Sequence, residues 1–255
     1  LRCGVDAARA VRILLSADFH GRFDWLEYLT GPSKVDLIVV AGDLLRFEPA
    51  EEHAADRKAL AAWVARRNPP SRLHYALCSG NHDGALEPGP NPKLHSDGFN
   101  DYIGAKDRIF LTILPFSWEF EKEKHQAAYR LLCRGAARHV ETPRVPWVVV
   151  QHRPPPGLLG RSKDADYGLP KWMASLPIDF VLCGHDHVSP ELSKTCVQVC
   201  GGGWALNAGQ TDPTARTPDF LTLDTQSRHI FWVSRGQRTD KISASPNPDY
   251  PPSHE

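Results

Sequence analysis

Five short apolar runs, each cut off by a turn that carries an acid, an amide or an imidazole, constrain this chain more than any other feature. The runs are Ile13-Leu14-Leu15, Leu37-Ile38-Val39-Val40, Tyr75-Ala76-Leu77-Cys78, Val148-Val149-Val150 and Phe180-Val181-Leu182-Cys183. In the same order they lead into Asp18-Phe19-His20, Gly42-Asp43, Gly80-Asn81-His82-Asp83, His152 and Gly184-His185-Asp186-His187. Apolar runs of this length between turn residues read as buried strands. In α/β sheets ligands gather outside the carboxyl ends of the strands. The pattern therefore predicts a sheet edge where oxygen and imidazole donors converge, and that implies a metal site.

Asp18 and His20 stand two apart at an extended end, as do His185 and His187, and side chains two apart share one side of a strand. With Asp43, Asn81 and His152 the candidate ligands number seven. Seven is too many for one tetrahedral ion. It suits two ions sharing a bridging carboxylate, with a hydroxide between them as nucleophile toward phosphorus. The set contains no thiolate, which argues against structural zinc. Mixed N/O donors accept divalent or trivalent manganese, iron, zinc or nickel. His82, next to Asn81, stands where a general acid would protonate a leaving oxygen, and Asp83 is expected to orient its ring, with capping of the following turn as the alternative. Asp186 points away from its two neighbours and reads as a turn-former. Arg22 and Arg153 flank motif residues, and two roles stay open for them: gripping a phosphate, or lying on the solvated surface.

Taken together, Asp18-x-His20, Gly42-Asp43, Gly80-Asn81-His82-Asp83, His152 and Gly184-His185-x-His187 resemble the five motifs of the calcineurin-like metallophosphoesterases, in order, across roughly residues 12–235. The resemblance implies that Asp18, His20 and His187 bind one ion and that Asn81, His152 and His185 bind the other. Asp43 would bridge them and His82 would be the acid. The implied fold is α/β, a two-sheet β-sandwich flanked by helices, with the site at the carboxyl ends of the strands. One departure is visible: many members carry Asp or Asn three residues after the second-motif aspartate, where this chain has Arg46.

Strands alternate with helix candidates (23–29, 51–67, 121–138 and 169–176) up to His187, after which short β candidates follow one another. That front and tail predict two packed sheets with helices outside. The expected division is a polar lead (1–10), one domain (11–236) and a polar, Pro-rich, disordered tail (237–255). Residues 84–107 read as a long loop leaving His82 to line the substrate pocket. Within it, Phe99 and Tyr102 are expected to anchor the core, with stacking on a nucleobase as the alternative.

Thirty basic and thirty acidic side chains cancel, which counts against a nuclease that tracks phosphates along a strand. A non-catalytic scaffold is disfavoured because all seven ligands and His82 are present. The expected partner is a small phosphoester, a phosphodiester such as a cyclic nucleotide ahead of a monoester. Nucleic acid and membrane are not expected, and a homo-oligomer is open. No apolar run approaches the roughly 20 residues needed to span a bilayer. The opening Leu1-Arg2-Cys3-Gly4 shows no signal-peptide pattern and no initiator Met, as in a trimmed or partial reading frame. The six cysteines are scattered, so the expected location is the reducing cytoplasm.

Overall fold

A computed structural model describes residues 10–243 apart from 31–33, 47–49, 67–72, 85, 87–90, 105–107, 119–120, 143–144, 162, 211 and 235–236. The polar lead, except residue 10, and the tail beyond 243 lie outside the described residues.

The first half of the chain lays down β1 (Arg12–Ser16), α1 (Phe23–Leu29), β2 (Leu37–Ala41), α2 (Ala50–Arg66), β3 (His74–Cys78), β4 (Leu94–His95), β5 (Asn100–Ile103) and β6 (Ile109–Ile113). Then come α3 (Lys122–His139), β7 (Trp147–Val150), α4 (Leu169–Ser175), β8 (Phe180–Cys183) and α5 (Ser189–Ser193). The strands β9 (Val197–Cys200), β10 (Gly203–Asn207), β11 (Phe220–Asp224), β12 (His229–Ser234) and β13 (Gln237–Ser243) finish it. They form a seven-stranded sheet, ordered β13-β12-β11-β1-β2-β3-β4, and a six-stranded sheet, ordered β5-β6-β7-β8-β10-β9.

The motif-bearing strands are parallel within each sheet: β1 with β2 and β2 with β3 in one, β7 with β8 in the other. Their carboxyl ends therefore open on one side of each sheet. Both faces of these strands are covered, which is why they read as continuous apolar runs. Inward, Leu15, Val39, Ala41 and Cys78 meet Val148, Val150 and Leu182 in the core between the sheets. Outward, Leu14, Ile38 and Val40 pack with Trp25, Leu26 and Trp63 of α1 and α2. On the other outer face Val149 and Val181 pack with Leu131 and Leu132 of α3 and Met173 of α4. Among the described residues no helix is long and apolar enough to cross a membrane.

Three segments depart from the sequence-based expectation. The stretch 84–107 is not one loop, because β4 pairs with β3 through Leu94 and His95 while β5 pairs antiparallel with β6. Strands of two and four residues are too short for a period-two pattern to stand out. The sheet also runs past residue 236: β13 pairs with β12 from Gln237 to Ser243, where polar composition predicted a disordered tail. A main-chain ladder holds it, and a ladder does not require apolar side chains. The helix α5 was not anticipated.

Phe99 and Tyr102 take the anchoring role. Phe99 packs against the core with its ring 4.1 Å from that of His95, and the Tyr102 hydroxyl bonds Thr142 Oγ1 while its ring meets Phe110 edge-on. His95 also stacks on His74, with Nε2 3.0 Å from His74 Nδ1. Burial, reinforced by the charge of His74, holds the His95 pKa down at about 4. An unfolded histidine titrates near 6.5, so between those values the unfolded chain binds more protons than the folded one. The neutral ring's contribution is therefore complete above pH ~6.5 and lost as pH falls toward 4. Unfolding free energies from urea titrations at pH 7.5 and 5.0 should differ less in His95→Gln than in the parent, by on the order of 2 kcal/mol. Equal pH dependence in the two proteins would rule this out.

Candidate metal centre

Each candidate ligand lies at or just beyond a strand end, and four of the seven take left-handed backbone: Asp18 (φ 59°), His20 (46°), Asp43 (51°) and His185 (66°). That conformation costs an L-residue about 1–2 kcal/mol and persists only where its surroundings enforce it. Here the motif turns enforce it on one another. The Asp18 and His20 amides donate to Gly42 O (3.0 Å) and Asp43 O (2.9 Å), and the His185 amide donates to both Asp18 carboxylate oxygens (3.1 Å). The motif glycines make the room. A Cβ on Gly80 would lie 2.0 Å from Asp43 Oδ1, and one on Gly42, itself at φ 91°, 2.2 Å from His152 Nδ1.

The seven residues come together in two groups, which Asp43 links through its further grouping with His20. In the first, Asp18, His20 and His187 converge, with His187 Nε2 3.4 Å from Asp18 Oδ1 and 3.5 Å from His20 Nε2. In the second, Asp43, His152 and His185 converge: His152 Nε2 lies 3.2 Å from Asp43 Oδ2 and 3.1 Å from His185 Nδ1. Asn81 Oδ1 adds a fourth donor, 3.1 Å from the same nitrogen. Asp43 also reaches a third grouping, with His20 and His82.

The donor set fits metal ions. The His152 Nδ1 lies 2.7 Å from the carbonyl of Ala41, which can only accept, so Nδ1 carries the proton and Nε2 faces the cluster. The atoms around Nε2 are a carboxylate oxygen, an amide oxygen and another imidazole nitrogen, and a shared cation satisfies them together. Without a metal ion a proton must serve instead. Burial works against a charged His152, but the Asp43 charge prevails and raises its pKa to about 9. Burial likewise opposes ionisation of Asp18 and Asp43, yet the neighbouring histidines hold both below the usual carboxylate range. Burial, with His152 beside it, pushes His185 down to about 4. His187 is raised, since Asp18 overcomes its desolvation.

His82 sits on the rim, its Nε2 3.8 Å from Asp43 Oδ2 and its amide donating to Asp43 Oδ1 (3.0 Å). Asp83 is placed otherwise than expected. It is fully buried, and its two oxygens accept the amides of Leu45 (2.8 Å) and Gly80 (2.8 Å), so it ties the second and third motif turns together rather than orienting the His82 ring. Burial and the nearby Asp43 raise its pKa to about 6. Asp186 is the turn-former predicted: its carboxylate accepts the amides of Val188 and Ser189 at the start of α5.

The arginines serve the scaffold. Arg22 forks onto Asp24 and donates to the carbonyls of Pro213 and Ala215. Arg153 is buried, donates to Ala165 O and lies 4.9 Å over the Trp118 ring. Arg46, at the departing position, pairs with buried Asp56 at 3.5 Å. Sequence reasoning missed the aromatic wall behind the second group, where Phe116 is 5.7 Å from His152 and Trp118 5.8 Å from His185. It also missed Asp164, 3.9 Å from His185 Nε2. None of these belongs to a motif, and chain folding alone brings them here.

The family model for calcineurin-like phosphoesterases matches residues 11–189. No curated protein matches the sequence at a significant level. Among solved structures, TT1561 of Thermus thermophilus is 13% identical and superposes with a TM-score of 0.57, covering 91% of this chain and 99% of that one. The calcineurin-like phosphoesterase YfkN from Bacillus subtilis is 12% identical over 91% of this chain and 88% of that one, with a TM-score of 0.47. Phosphopantetheinyl hydrolase from Mycobacterium tuberculosis is 14% identical over 81% and 91%, with a TM-score of 0.43. The first of these speaks for the fold, two sheets flanked by helices. With the family model spanning most of the described domain, the chain is a member of the calcineurin-like phosphoesterase family.

Proposed function

We propose that this chain hydrolyses small phosphodiesters, cyclic nucleotides among them, with two divalent or trivalent ions of manganese, iron, zinc or nickel. Asp18, His20 and His187 would hold one ion, Asn81, His152 and His185 the other, and Asp43 both. The observation that carries the reading is the place of Asp43, which groups with His152 and His185 in one cluster and with His20 and His82 in another. Ions bound there supply Lewis-acid neutralisation of phosphoryl charge and activation of water.

The protein's own groups supply the rest. Buried Asp18 and Asp43 fix the ligand geometry, and the motif turns hold their direction. His82 donates a proton from Nε2 to the departing oxygen. The hydrogen bond from its main-chain N–H to Asp43 Oδ1 keeps the residue at the rim, within reach of an ester group lying over that carboxylate. The preference for diesters is supported by the arginines. A dianionic monoester calls for more positive charge than a monoanionic diester, and of the arginines that flank the motifs Arg22 is held by Asp24 while Arg153 donates to Ala165 O. A reducing cytoplasm is supported by five free cysteines among the described residues.

Manganese-loaded enzyme should show a higher kcat/KM for 2′,3′- or 3′,5′-cyclic AMP than for AMP, by about tenfold or more, a difference of ~1.4 kcal/mol in transition-state stabilisation. A preference for AMP would overturn the diester assignment and leave the metal centre in place.

A further inference from the structure

We propose that Asp164 is a positioning residue for the second metal site: its carboxylate accepts the Nε2–H of His185 and so presents His185 Nδ1 to the ion. The inference rests on the reading of His185 as a ligand. Its starting point is His185 Nε2, a buried atom with no hydrogen-bond partner among the described residues, and the Asp164 carboxylate beside it, whose Oδ2 is likewise buried without a hydrogen bond. Asp164 Oδ1 is 3.9 Å from His185 Nε2, beyond hydrogen-bond range by less than about 1 Å. The other ring nitrogen, Nδ1, points into the ligand cluster at 3.1 Å from His152 Nε2. An imidazole that gives one nitrogen's lone pair to a metal carries its proton on the other, and that N–H needs an acceptor. A carboxylate there fixes both tautomer and ring orientation.

The loop carrying Asp164 is pinned to the motif it would serve. The Arg161 amide donates to Asp186 Oδ2 (2.8 Å), and Asp186 lies next to His185 in the chain. The Asp164 amide closes a turn onto Arg161 O (2.9 Å), and the Asp166 amide reaches Pro154 O (2.8 Å). The Arg161 guanidinium also approaches Asp164 Oδ2, at 3.3 Å, but half of that arginine side chain is exposed. That contact engages Oδ2 as an ion pair without hydrogen-bond geometry, and Oδ1 is the oxygen that faces the buried ring.

The test is equilibrium metal binding, with zinc or manganese competed against a chromophoric chelator, on the full chain and on Asp164→Ala, Asp164→Asn and His185→Ala. Melting of each metal-free protein would be recorded alongside. In Asp164→Ala one of the two ions should bind about 10–100-fold more weakly, the other as in the parent, with the metal-free Tm unchanged. Asp164→Asn, which keeps a neutral acceptor, should fall between. In the metal-loaded parent, nitrogen NMR should place the His185 proton on Nε2. Parent-like binding in Asp164→Ala alongside a lost ion in His185→Ala would overturn the proposal and spare the metal centre. Parent-like binding in His185→Ala would overturn the ligand reading itself. Loss of both ions with a lowered metal-free Tm in both Asp164 variants would mean that the residue holds its loop and not the ring, which also overturns it.

Discussion

Replacing Asp43 with asparagine is expected to weaken both candidate metal sites at once and to lower kcat/KM by about 10³-fold or more, the loss of several kcal/mol of charge stabilisation. The reason is position. Asp43 is 2% exposed and lies just past the end of β2, where the two sheets bring their motif turns together. One of its oxygens holds the His82 amide and the other faces His152 Nε2 at 3.2 Å. The neutral amide keeps the shape but loses the charge that both ions would share, and it offers an N–H where a lone pair is needed. Metal content after equilibration and gel filtration, measured with kcat/KM on one preparation, checks it. An Asp43→Asn protein that retains two ions per chain would sink the bridging role.

His82→Ala is expected to behave in the opposite way, keeping its metal while losing rate. Removal of a general acid slows esters with poor leaving groups by typically about 10²–10⁴-fold. An activated nitrophenyl ester, whose leaving group hardly needs the proton, should be nearly spared. Metal content belongs in this test because the ring also groups with His20 and Asp43 at ligand distance. A variant that loses an ion would recast His82 as a ligand. Equal slowing of both ester classes would remove it from the acid role.

Much of this centre is legible in the amino-acid sequence, for a physical reason. Buried parallel strands have to be apolar throughout, so the first polar residues after each run mark the sheet edge, and donor types such as Asp18, His20 and His185 stand out there. The glycines fit the same logic once Gly42 and Gly80 are seen to clear space for His152 and Asp43. What escaped was of two kinds. Strands as short as β4 or as polar as β13 leave no periodic trace in the sequence, although main-chain pairing places them in the sheet. Groups placed by tertiary contact, such as Asp164 and Trp118, have no fixed spacing from the residues they approach. Asp83 misled because adjacency in sequence pointed to His82, while its oxygens found the amides of Leu45 and Gly80.

Four candidate ligand residues in left-handed backbone concentrate strain in the motif turns of the metal-free fold. Ions that bind only the folded chain offset that strain by mass action. The survival of the chain in a cell would then follow metal supply, with the motif turns expected to open under starvation and expose cleavable backbone to proteases. Half-life, and not turnover alone, becomes a gauge of available metal. Limited proteolysis should therefore cut first at the motif turns when a chelator is present, and an unchanged cleavage pattern with and without chelator would argue against it.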